Sequence, residues 1–162
     1  MCGIFGVRGP APAAALAHAG LYSLQHRGQE SAGIVAVDAD GVAHAARSMG
    51  LVTEQMGAAA IGALGGRVAI GHTRYSTAGS STIENAQPVL ARFRGGHIAL
   101  AHNGNLTNAS ELRRELEDGG SIFSSTMDSE VLVHRLARAA CASPSGETAT
   151  MPADSCPRCC SE

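Results

Sequence analysis

Aromatic residues make up only 3% of this 162-residue chain, and tryptophan is absent. Its core must therefore be built mainly from Ala, Val, Leu and Ile. Charge is also sparse: charged residues amount to 16%, the net charge is −2, and no basic block occurs, which argues against a nucleic-acid surface. No stretch has the length and apolarity of a membrane span, and the start lacks the basic and apolar regions of a secretory signal. A cytosolic protein is the default. No internal repeat is evident. Hydrophobic residues, in contrast, reach 44%, so the bulk is globular. A single domain of this size buries roughly 68–70% of its unfolded surface.

The five cysteines are unevenly placed. Cys2 stands alone at the front, Cys141 ends a helical pattern, and Cys156, Cys159 and Cys160 crowd the end. An odd total without regular spacing is not a disulfide framework. Cys156-Pro157-Arg158-Cys159 spells C-x-x-C, but no second pair and no strand–helix setting accompany it.

Cys2 directly follows the initiator methionine. Removal of Met1, plausible before a small side chain, gives a residue with both a thiol and a free α-amine. Such an amine titrates near pH ~7.7–8.0 and serves as a base at neutral pH. The thiol needs that base, since its reference pKa of ~8.5 leaves little thiolate. Ile4, Phe5 and Val7 read as the start of a buried strand that fixes the terminus. On these residues alone, a chance Met-Cys before an ordinary strand is the simpler account.

Further along, Pro10 and Pro12 open a helix to about Gln25, with Leu16, Leu21 and Leu24 on its apolar side. Strands at 34–37 and 42–47 flank Asp38-Ala39-Asp40-Gly41, a hairpin signal. Residues 50–54 read as extended and 56–64 as a helix stopped by Gly65-Gly66. A strand over 67–73 delivers His72-Thr73-Arg74-Tyr75-Ser76-Thr77 to a long polar loop running through Pro88. Strands at 89–93 and 97–102 follow. Asn108 with Glu111 resembles a capping box opening a helix to about Asp118. Ser129–Ala140 reads as an amphipathic helix with Val131, Leu132 and Leu136 inward. From Ser143 the composition changes to a periodless, proline-containing tail, expected to be disordered. The hairpins and helices together indicate a layered α+β architecture.

Several polar positions suit a nucleophile at Cys2. The Arg74 guanidinium matches a carboxylate with two parallel bonds, unless it is merely an exposed strand end. Asn103 beside the Gly104 N–H is a donor pair of the kind an oxyanion needs, although Asn-Gly is also a common turn. Asp128 at a helix start suits an ammonium group or a simple cap. Arg27-Gly28 can be read as no more than a turn.

Taken in order, Met1-Cys2-Gly3-Ile4-Phe5-Gly6, His26-Arg27-Gly28-Gln29-Glu30-Ser31-Ala32-Gly33, Gly71-His72-Thr73-Arg74-Tyr75-Ser76-Thr77 and His102-Asn103-Gly104-Asn105-Leu106 resemble the class II glutamine amidotransferases. These are N-terminal-nucleophile hydrolases, and the resemblance is strongest to the amidophosphoribosyltransferase branch. It covers Met1 to about Cys141. It implies a four-layer αββα sandwich, incomplete at its C-terminal side, with the N-terminal cysteine at the end of a central strand. The implied domain spans residues 2–142, followed by an unrelated tail over 143–162. In the implied mechanism Cys2 attacks the glutamine amide, its α-amine passes the proton to departing ammonia, and a γ-glutamyl thioester is hydrolysed. Asn103 and Gly104 hold the oxyanion, Arg74 the substrate carboxylate and Asp128 its ammonium. Arg27, Gly28 and Thr77 line the pocket. L-glutamine is the implied partner, with no metal in this half-reaction. Full-length members use magnesium in a phosphoribosyltransferase domain that has no counterpart in this sequence. The competing expectation is an inactive fragment or interaction module that keeps the motifs without a stable site. An incomplete sandwich is expected to be poorly soluble or to form a homo-oligomer.

Overall fold

A computed structural model describes residues 1–9, 12–75 and 81–142. Expectations for Pro10, Thr77 and the tail with Cys156, Cys159 and Cys160 lie outside the described residues.

Six strands and five helices carry the described fold: β1 (Gly3–Arg8), α1 (Ala13–Ser23), β2 (Ser31–Val37), β3 (Ala43–Met49), α2 (Val52–Gln55), α3 (Ala58–Gly62), β4 (Val68–Arg74), β5 (Val89–Phe93), β6 (Gly96–Leu100), α4 (Ala109–Asp118) and α5 (Asp128–Ala142). Strands β1–β4 form an antiparallel sheet in the order β1-β4-β2-β3, and β5 pairs with β6 in a second sheet. Helix α1 covers one face of the first sheet, while α5 packs on β5–β6 and α4 packs on α5. The arrangement is helix, sheet, sheet, helix, the layered α+β order that the resemblance implies.

Scarcity of aromatics decides how α1 meets its sheet. Its inward face is Ala13, Ala14, Ala17 and Leu21, all at most 2% exposed. Small residues let backbones approach closely. A Cβ on Gly20 would fall 2.4 Å from the Phe5 ring, and one on Gly71 would fall 2.7 Å from Leu21. Leu16, expected inward, is 49% exposed, because the sheet-facing stripe is made of alanines. Ile34 and Val52 complete this core; full burial of a side chain of that size contributes about 1.5–3 kcal/mol. A smaller cluster of Leu112, Leu116 and Val131 joins α4 to α5.

The second core differs from expectation mainly in register. Val131 is buried and so is Val133, whereas Leu132 and Leu136 are half-buried.

Elsewhere the structure corrects the sequence in informative ways. β1 is the outer strand of its sheet among the described residues, not a central or fully buried one, and Ile4 is 40% exposed. β2 begins at Ser31 because Ser31–Gly33 pair with both β3 and β4. Residues 52–55 form a helical turn instead of an extended segment. Its first N–H, on Val52, donates to Gln25 Oε1 at 2.7 Å, a long-range cap that no local pattern encodes. The hairpin at Asp38–Gly41 forms, with Gly41 at φ +78°. Asp38 Oδ1 accepts from the Val42 N–H at 2.8 Å. The capping box at Asn108 does not form. Its φ/ψ of −110°/21° lies outside the extended region a side-chain cap requires, and the helix is closed by main-chain bonds to the Asn108 carbonyl.

Register places the site. Gly3 lies opposite Thr73, and Ser31 lies opposite Arg74. The start of β1, the end of β4 and the start of β2 therefore meet at one end of the sheet.

Candidate active site

Cys2 sits just before β1 with its thiol 3.7 Å from the Tyr75 carbonyl. Its backbone is held on both sides. The Cys2 N–H donates to Asn103 Oδ1 at 3.3 Å, and Asn103 Nδ2 donates back to the Cys2 carbonyl at 3.1 Å. Arg27 Nε donates to that same carbonyl at 3.0 Å. The described chain carries Met1, so this nitrogen is a peptide nitrogen. Met1 Sδ lies 3.9 Å from Arg27 Nη2.

Two glycines set the distances around the nucleophile. A Cβ on Gly28 would meet the Arg74 carbonyl carbon at 2.6 Å, so only glycine lets the 26–30 loop lie on the end of β4. Across the sheet, a Cβ on Gly33 would meet the Gln87 carbonyl oxygen at 2.2 Å. The 85–88 segment thus rests directly on β2.

Arg74 is 2% exposed and is no loose strand end. Its Nη1 pairs with Glu30 Oε1. Loss of either partner would leave an uncompensated buried charge, so the pair holds Arg74 in place. Two residues before it, His72 is fully buried, and among the described residues neither ring nitrogen makes a well-formed hydrogen bond, although the His102 main chain lies close enough to interact. Burial pushes its pKa down to about 4, an effect the His102 backbone offsets only in part and the Arg74 charge reinforces. His72 is therefore a neutral wedge behind the site at pH 7.

Asp128 begins α5 and reaches back to the loop after β6. Its Oδ2 accepts the Leu106 N–H at 2.7 Å, while Oδ1 lies 3.7 Å from His102 Nδ1. The turn before it is fixed by Glu130, whose carboxylate accepts from the N–H and hydroxyl groups of both Ser124 and Ser125 at 2.6–2.9 Å. Burial raises the Glu130 pKa, but those donors outweigh it and hold the group below its ordinary value. Arg113 stacks 4.1 Å over the Phe123 ring and donates to the Ser125 carbonyl at 2.9 Å.

Cys2, Arg74, Asn103, Gly104 and Asp128, expected from separate motifs, all line one cavity of about 490 Å³. That is a volume of the size small-molecule sites use. Arg27 braces the Cys2 carbonyl, and Gly28 lies behind Arg74. Thr77 lies outside the described residues. The sequence reading assigned no role to Glu30, Asn85, Gln87, Arg113 or Glu130. Glu30 lies within the His26–Gly33 string, two positions from Gly28. Asn85 and Gln87 carried no signal, because the loop holding them has no periodicity. Among the described residues, no cluster of three or more His, Cys, Asp or Glu side chains is arranged to hold a metal, and no helix is long and apolar enough to cross a membrane. Cys2 and Cys141 are free thiols.

Comparison with known proteins points the same way. Residues 72–154 match a glutamine amidotransferase domain family, a span that runs past residue 142. The chain is 54% identical over 138 residues to an amidophosphoribosyltransferase of Lacticaseibacillus casei, covering 85% of this chain and 71% of that protein. It is 49% identical to the Bacillus subtilis amidophosphoribosyltransferase, covering 85% of this chain but 29% of the relative. It therefore spans less than a third of the length of that longer relative. Among solved structures, glutamine phosphoribosylpyrophosphate amidotransferase from B. subtilis, complexed with ADP and GMP, superposes with a TM-score of 0.74 at 46% identity. That match covers 83% of this chain and 28% of the other.

Proposed function

This chain belongs to the amidophosphoribosyltransferase family of glutamine amidotransferases, and on that premise we propose that it hydrolyses the side-chain amide of L-glutamine with Cys2 as nucleophile. The observation that carries the proposal is the convergence of Cys2, Arg74, Asn103, Gly104 and Asp128 on one cavity from distant parts of the chain.

Removal of Met1 converts the Cys2 nitrogen, which lies 3.3 Å from Asn103 Oδ1 in the Met1-bearing chain, into an α-amine for that oxygen to orient. The amine, directly or through water, takes the thiol proton as Sγ bonds to the amide carbon. The carbonyl π electrons move to oxygen, and the Asn103 amide and Gly104 N–H receive that oxyanion. Collapse breaks the C–N bond, the amine's proton goes to the leaving ammonia, and a γ-glutamyl thioester remains. Water then cleaves it to glutamate and free thiol. Arg74 binds the substrate carboxylate and Asp128 its ammonium, with Glu30 keeping Arg74 aligned. Arg27 fixes the Cys2 carbonyl, and Gly28 sets the loop's approach to Arg74.

Residues 2–142 form the glutaminase module in this reading. The ammonia it releases is destined for phosphoribosylamine formation in purine synthesis, by an acceptor domain outside this sequence. No metal enters the half-reaction proposed for this chain, and the reading implies a cytosolic enzyme.

The test is chemical. Intact-mass measurement should find the chain starting at Cys2. A diazoketone analogue of glutamine should add once, at Cys2, and purified protein should release ammonia and glutamate in equal amounts. Cys2→Ala should abolish both. Labelling at another cysteine, or release that survives Cys2→Ala, would sink the proposal.

A further inference from the structure

The Asn85-Ala86-Gln87 segment connects parts of the site that no single secondary-structure element joins. It lies in a stretch without periodicity, yet its three residues are 1%, 0% and 2% exposed. Its main chain is seated on the first sheet: the Gln87 carbonyl presses on Gly33, and the Ala86 carbonyl accepts from Arg47 Nη1 at 3.4 Å. Its side chains point the other way. Asn85 Oδ1 accepts the Thr126 N–H at 3.0 Å and the Thr126 hydroxyl at 3.2 Å, and Asn85 Nδ2 donates to Thr126 Oγ1 at 2.9 Å. Gln87 Oε1 accepts the His102 N–H at 2.7 Å.

Both targets are loop backbones next to proposed site residues. Thr126 stands two positions before Asp128, and His102 immediately precedes Asn103-Gly104. The β5–β6 ladder ends at Val89 opposite Leu100, so His102 lies beyond it. A main-chain donor withdrawn from water needs an acceptor, and at both of these part-buried bonds a side-chain amide supplies it.

We infer that Asn85 and Gln87 are positioning residues for glutamine hydrolysis, Asn85 setting the Asp128 loop for substrate binding and Gln87 setting the Asn103-Gly104 turn for the chemical step. The inference rests on the function proposed above. Its distinctive content is a division of labour within three residues. Loss of the Asn85 contacts shifts the ammonium site, which acts before chemistry. Loss of the Gln87 contact shifts the oxyanion donors, which act in the transition state. A merely structural role predicts no such division: each variant would only lower stability.

The experiment compares Asn85→Leu, Asn85→Asp, Gln87→Leu and Gln87→Glu with wild type. Each is read for kcat and KM with glutamine, for the concentration dependence of Cys2 alkylation by the diazoketone analogue, and for Tm. Alkylation separates binding (KI) from reaction (kinact) without requiring turnover. Asn85→Leu should raise KM and KI about tenfold with kcat and kinact nearly unchanged. Gln87→Leu should lower kcat and kinact on the order of 10²-fold with KM and KI nearly unchanged, the usual penalty for misplacing a reacting group by about 1 Å. Asn85→Asp and Gln87→Glu retain the acceptor oxygen but not the amide donor, and should recover part of each loss. If the leucine variants unfold, Asn85→Ser and Gln87→Ser are read on the same two axes. Variants that alter the same parameter, or that change only Tm, overturn the inference. Folded wild-type protein that neither turns over nor is alkylated at Cys2 overturns the glutaminase reading itself, and this inference with it.

Discussion

Acid should weaken this fold through one histidine. His72 has a pKa of about 4 in the folded chain against an ordinary 6.5, because burial removes the water that would solvate its charged form. The sign follows from linkage. Between pH 6.5 and about 4 the unfolded chain binds a proton here that the native chain refuses, so stability falls as pH falls through that window. Above 6.5 the contribution is fully present; below about 4 the loss is complete. At about 1.4 kcal/mol per pH unit, the fall from 6.5 to about 4 corresponds to about 3.5 kcal/mol. That is a large share of the stability typical of a domain, about 5–15 kcal/mol. The control is His72→Leu, which fills the cavity without titrating. Urea unfolding at half-unit pH steps from 7.5 to 4.5, fitted for both proteins, isolates this group from every other titrating side chain. The variant should show a shallower decline, by up to about 1.4 kcal/mol per pH unit near pH 5. Identical slopes in the two proteins would refute the argument, showing that His72 gains a proton in the native state as readily as in the unfolded one.

Two further outcomes follow from the site. Asn103→Ala should lower kcat on the order of 10²–10³-fold, whereas Arg74→Lys should act mainly on KM for glutamine, because a point charge replaces a fork; steady-state kinetics showing the reverse pattern would exchange the proposed roles. Gly28→Ala should destabilise the fold by about 1–3 kcal/mol in urea unfolding, since the new Cβ would lie 2.6 Å from Arg74 backbone and not from a yielding side chain; an unchanged midpoint would show that the 26–30 loop can lift off β4.

How much of this was legible in the sequence depended on whether the information was local. The strand Val89–Phe93 is bounded by Pro88 and by Gly95-Gly96, and the structure places it at those same residues. The Asp-Gly hairpin is likewise written in four neighbouring residues. Leu16 misled because apolarity was read as inwardness, when the sheet demanded the small face of α1 instead. The turn at 52–55 was illegible because its cap is Gln25, 27 residues away. The same is true of the site's supports. Cys2, Arg74, Asn103 and Asp128 stand in recognisable strings, but Asn85 and Gln87 act on backbones 41 and 15 residues distant. No spacing rule reports a contact of that kind.

This difference has a physical consequence for how the site is assembled. Arg74 ends a strand of one sheet and Cys2 immediately precedes another, with Asn103 beyond the end of the second sheet and Asp128 at the head of a helix packed on it. Each half has its own core, centred on Leu21 and Ile34 in one and on Leu116 and Val131 in the other. Cores of this kind fix elements internally, yet apolar packing is non-directional and sets no angle between the halves to the tolerance catalysis needs. Directional bonds must do that. Among the described residues these include Asn103 with the Cys2 backbone, Arg47 with the Ala86 carbonyl, Asn85 with Thr126, and Gln87 with the His102 N–H. The alignment of nucleophile, oxyanion donors and ammonium site thus depends on side-chain amides, of which Asn85 and Gln87 are buried. Substitutions there should disturb chemistry well before they disturb the two cores.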